Sequence, residues 1–102
     1  PKSKMATLLL GLYDTLRADL QRELDRMRVE LERLNSEAEI GKAALWADED
    51  PNGEPEAERP TLEAVVAIVQ KRKKCKKDIA VVVHRMEEVG RLAAAVAALQ
   101  LE

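Results

Sequence analysis

Two apolar-periodic stretches of nearly equal length, residues 5–46 and 61–101, flank an acidic segment broken by prolines. A helix rises about 1.5 Å per residue, so each arm would run about 60 Å. That is far longer than the helices of a compact domain of 102 residues. Helices of this length owe their stability to packing, so the arms must lie on each other or on a partner. The expectation is an all-α fold. It is a single domain over 1–102, an antiparallel, coiled-coil-like two-helix hairpin with helices at 5–46 and 61–101 and a loop at 47–60.

In the first arm Tyr13, Leu16, Leu20, Leu24, Met27, Leu31, Leu34, Ala38, Gly41 and Leu45 recur at spacings of 3 and 4. From Leu24 onward the repeat is a strict heptad. The two consecutive steps of 4 at Leu16, Leu20 and Leu24 form a stutter, which predicts local unwinding of a supercoil. Arg17, Asp19, Arg22, Glu23, Asp25, Arg26, Arg28, Glu30, Glu32 and Arg33 fill the intervening faces, mixed in sign and spaced for pairing along one helix.

No helix crosses the middle segment, where Pro51, Asn52, Gly53, Pro55 and Pro60 fix φ, remove donors or permit positive φ. Six carboxylates against Arg59 make residues 47–60 the acidic part of the chain. At fourteen residues the loop exceeds the roughly two to eight usual between antiparallel helices. Asp48-Glu49-Asp50-Pro51-Asn52-Gly53 lacks the oxygen spacing of an EF-hand and reads as solvated linker. Thr61 is the expected N-cap of the second arm, with Glu63 suited to the positive end of its dipole. Trp46, before the loop, is expected to cap the core against Leu62 or Val66.

In the second arm Leu62, Val65, Val66, Ile68 and Val69 form a wide stripe, and Ile79, Val82, Val83, Met86, Val89, Leu92, Ala93, Val96 and Leu99 continue one. With Ile79 at heptad position a, Val82 is d, Val83 e, Met86 a and Val89 d, broader than a two-stranded seam needs. Val81, at c, lies outside it. Residues 92–99 carry no charge. Matching Leu45 to Leu62 sets residue i opposite about 107 minus i, which lays the alanine-rich end beside Met5 to Tyr13 and sets residues 71–77 against Glu30 to Glu37. Two helices enclose no core, and both arms carry apolar residues beyond one seam. The expected solution is a four-helix bundle, completed by a second copy of the chain or by another protein's helices.

Composition narrows the function. Hydrophobic residues make up 46% and charged residues 35% of the chain, too apolar for a disordered tail and too charged for an ordinary globule. At a net charge of −2 the whole-molecule field would not drive binding to nucleic acid or an anionic membrane. Cys75, the single cysteine, excludes an intramolecular disulfide and fits a reducing, intracellular setting, cytoplasmic or nuclear. Lys2 and Lys4 before Leu8 to Leu10 suggest a signal peptide only superficially, because Gly11, Tyr13 and Asp14 end the apolar run early. No run reaches the ~18 apolar residues of a membrane span.

The run Lys71-Arg72-Lys73-Lys74-Cys75-Lys76-Lys77 is the sharpest local anomaly. It could hold phosphates or act as a nuclear-import signal, giving a nuclear or nucleic-acid-associated module as the alternative function. The plainer reading is a solvated turn paired with carboxylates of the first arm, with some of Arg72, Cys75 and Lys76 packing their stems at the seam. The plainer reading is preferred, and nucleic acid is the less favoured partner, since no aromatic is interleaved for base stacking. His84 lacks a second metal-ligating His or Cys and reads as a surface residue. Glu87 and Glu88 stand without a nucleophile or phosphate-loop motif, so no enzyme and no cofactor is expected. What remains is a structural or protein-interaction module for dimerisation or assembly of a larger complex. The residues expected at its interfaces are Leu20, Leu24, Met27, Leu31, Leu34, Ile79, Val82, Met86 and Val89.

Overall fold

A computed structural model describes residues 4–46 and 60–101. Helix α1 spans Lys4–Trp46 and helix α2 spans Leu62–Leu101, packed on each other as a hairpin with no strand among the described residues. The acidic loop and its calcium reading lie outside the described residues.

Both helices are rich in Leu, Ala, Glu, Lys and Arg, the strongest helix formers. The start of α2 is capped as expected. The Thr61 hydroxyl accepts a hydrogen bond from the Ala64 amide at 3.1 Å, the Thr61 carbonyl accepts one from the Val65 amide, and Glu63 occupies the first turn. Helix α1 has no carboxylate in its first turn and no cation in its last. Along its exposed faces Arg22 pairs with Asp19, Gln21 donates to Asp25 at 2.8 Å, and Arg33 holds both Glu30 and Glu37. Such pairs contribute only a few tenths of a kcal/mol each.

The chain divides into two compact units. One runs to Met27 and resumes at Asp78; the other is Arg28–Lys77. In the first, Leu20, Leu24, Val82 and Val89 are buried together, with Tyr13, Met27, Ile79, Val83 and Met86 packed against them and half-buried. Leu16 departs from the expected seam and is exposed. Each step of four residues turns about 40° beyond a full revolution, so Leu16 and Leu24 stand roughly 80° apart and one narrow seam cannot take both.

In the second unit the seam is built from Leu34, Ala38 and Val65, with Leu31, Ile68, Val69 and Cys75 half-buried. Ala38 is fully buried, and the backbone at Gly41 approaches Val65 so closely that a β-carbon there would meet Val65 Cγ2 at 2.9 Å. Small residues at both positions let the helices close together. Among the described residues no large side chain is completely enclosed and no polar one is buried. That is the expected limit of a seam between only two helices.

Candidate interaction surface

The residues expected at interfaces fall on the seam between α1 and α2. Leu20, Leu24, Leu34, Val82 and Val89 are buried within the chain, and Met27, Leu31, Ile79 and Met86 half-buried. Packed against their own partner helix, they have little surface left to offer another molecule.

A different set is open. In the first unit Met5, Leu8 and Leu12 each leave 65% of their surface exposed, and Leu16 continues their row. On α2, Leu92 and Leu99 are 52% and 69% exposed, with exposed Ala95 between them. The α1 row lies one residue before the seam row, as Met5 precedes Ala6, Leu8 precedes Leu9 and Leu12 precedes Tyr13. The α2 row has the same offset, as Leu92 precedes Ala93 and Ala95 precedes Val96. One residue is a turn of about 100°, so both rows are rotated from their seams by the same angle in the same sense. Antiparallel helices bring equal offsets out on the same side of the pair. The two rows therefore form one apolar flank. Further along the same rows come Asp19 and Glu23 on α1, and Glu88, Arg85 and Val81 on α2, all exposed except half-buried Glu23.

Sequence reasoning expected apolar residues beyond one seam but did not place this flank, because it laid the whole stretch from Met5 to Tyr13 beside the alanine-rich end of α2. Three consecutive helical residues point about 100° apart and cannot share a seam. The spacing of Met5, Leu8 and Leu12 beside Ala6, Leu9 and Tyr13 was the signal available. Val81, placed outside the stripe from its heptad position, is indeed exposed.

The basic run divides by direction. Arg72 is turned inward, its side chain only 18% exposed, and its Nη1 lies 3.4 Å from the Glu39 carboxylate. Cys75 is half-buried, while Lys71, Lys73, Lys74, Lys76 and Lys77 are exposed. Hydrogen bonding to Arg33 holds the Glu30 carboxyl below its ordinary value, with Lys71 adding a weaker pull through space. The two carboxylates in turn raise the Arg33 guanidinium above its usual range. Part of the run is thus matched to carboxylates of α1.

Trp46 corrects the expectation that it caps the core: it is 82% exposed, and Leu62 is open as well. It stands one residue beyond the seam position Leu45, turned about 100° away. His84 is exposed, its Nε2 2.8 Å from the Glu88 carboxylate. Among the described residues no cluster of three or more His, Cys, Asp or Glu side chains could hold a metal, and no helix is long and apolar enough to cross a membrane.

Fold and surface together define an all-helical hairpin with an apolar flank on its first unit. No protein-family model, curated protein or solved structure matches this chain.

Proposed function

We propose that the chain is an assembly module, a helical hairpin that offers its apolar flank to further helices and completes a four-helix bundle with them. The observation that carries this reading is the pair of exposed rows, Met5-Leu8-Leu12-Leu16 and Leu92-Ala95-Leu99, on one side of one unit. The six large side chains present on the order of 600 Å² of apolar surface, as much as the largest patch of an ordinary monomer and near the ~800 Å² per partner of a standard interface. Left in water, that surface favours association.

Light scattering over a range of concentrations tests this. The expected mass is a multiple of 11.4 kDa that falls toward 11.4 kDa on dilution. Replacing Leu8 and Leu12 by Ser should move that fall to much higher concentration while helicity in the monomer is kept. A wild-type chain that remains 11.4 kDa at millimolar concentration would remove the reading.

A further inference from the structure

We infer that the occupant of the apolar flank is a second copy of this chain, related by a two-fold axis parallel to the helices, so that α1 of each copy lies on α2 of the other. This rests on the assembly-module reading and adds to it the partner, the orientation and a pair of charges that sets the register.

The two rows differ in size in a way that suits self-pairing. The α1 row is bulky throughout, Met5, Leu8, Leu12 and Leu16; the α2 row places Ala95 between Leu92 and Leu99, with exposed Ala94 and Ala98 beside it. A two-fold axis across the helices would set α1 on α1 and force leucine against leucine. An axis along them sets the leucines of each copy on the alanine-rich turns of the other, and makes every neighbouring pair of helices antiparallel. The contact is isologous and closes at two copies. The apolar rows occupy residues 5–16 and 92–99 of one unit, and this orientation covers both rows of both copies with large side chains set on small ones.

Charge agrees with that orientation. The seam pattern aligns Leu20, Leu24 and Met27 with Met86, Val82 and Ile79, which puts Arg85 at a height midway between Asp19 and Glu23. Glu23 and Arg85 lie on the flank rows just past the apolar part, and neither enters an ion pair among the described residues. Asp19 and Glu88, the other two charges there, come opposite each other at nearly the same height in this orientation, and Arg22 and His84 on their own helices offset that repulsion. In the two-fold dimer the Glu23 carboxylate of each copy faces the Arg85 guanidinium of the other, giving two identical pairs at the edge of the apolar contact. A register slip of one turn would break both.

The test uses two full-length chains, Glu23→Arg and Arg85→Glu, followed by light scattering and circular dichroism. Each variant alone juxtaposes like charges twice and should dissociate at least tenfold more readily than wild type, with helicity intact at high concentration. Mixed in equal amounts they should restore wild-type dimerisation as a heterodimer, because every pair then joins opposite charges. A mixture that remains as weak as its components overturns the arrangement, since a Glu23–Arg85 pair within one chain cannot be rescued by mixing. Wild-type dimers without rescue overturn this inference and leave the assembly module standing. A wild-type chain that never dimerises overturns both.

Discussion

A β-carbon at Gly41 would lie 2.9 Å from Cγ2 of Val65, closer than two carbon atoms can rest. Gly41 is therefore the residue that lets α1 and α2 meet in that unit. Alanine normally improves a helix interior by about 1 kcal/mol over glycine. Here the stiff, buried Val65 must move, and Gly41→Ala should destabilise by roughly 1–2 kcal/mol, in the range of overpacked cores. Gly90 has nothing within 4 Å of such a carbon, so Gly90→Ala should raise stability by about 0.5–1 kcal/mol. Thermal melts of the two variants should shift in opposite directions, and adding Val65→Ala should relieve the first clash.

Seam and flank should respond differently to truncation. Leu24 is buried, and Leu24→Ala should cost about 2–4 kcal/mol through lost burial and a residual cavity. Leu12→Ala should leave the monomer's denaturant midpoint nearly unchanged, since the side chain is already in water there, and should act on the concentration dependence of the melt. Equal monomer losses from the two would contradict the separation of seam from flank.

The cap of α2 rests on one hydroxyl. Thr61→Ala should destabilise by about 1 kcal/mol and Thr61→Asp should be neutral or better, as a carboxylate there also suits the helix dipole. Faster amide exchange at Ala64 in the alanine variant would localise the effect to the first turn.

At the basic run, Arg72 and Glu39 should be unequal partners. Glu39 is exposed and its loss should cost no more than about 0.5 kcal/mol. Arg72→Ala also strips an aliphatic stem from the seam and should cost about 1–2 kcal/mol; Arg72→Met should recover most of that. A chemical-denaturation series of the three variants decides between charge and packing.

Glu30 ties stability weakly to acid. Its carboxyl titrates below the ordinary 4.5 in the folded chain, so the pairing with Arg33 is present above that value and is lost as pH falls through the lower folded one. Wild type should lose slightly more stability than Glu30→Gln between pH 5 and pH 3, checked by thermal melts at both. Because both side chains are exposed, the difference should be small.

Much of this architecture was legible in sequence. The strict heptad from Leu24 onward and the turn chemistry at Thr61 identified the arms, the seam and the cap, because periodicity and capping are local signals with one physical meaning. Leu16 and Trp46 were misread for a shared reason: each is apolar and close to the seam in sequence, yet turned away from it. The flank was legible only in outline, as apolar residues beyond one seam, and not in its position. Apolar character says a residue prefers burial without saying whether its own chain can provide it, and the leucine-rich start of α1 contains more apolar directions than one antiparallel partner can cover.

The first turn of α1 carries Lys4 and no carboxylate, so a cation stands at the positive pole of the helix where it opposes winding. Met5 and Leu8, which begin the flank, belong to that same stretch. In the proposed assembly, covering these leucines would also favour the wound form of the turn that bears them, so part of the free energy of contact would go to holding that turn. Binding through this surface should be weaker than its area implies, quick to reverse, and accompanied by a gain in helical signal.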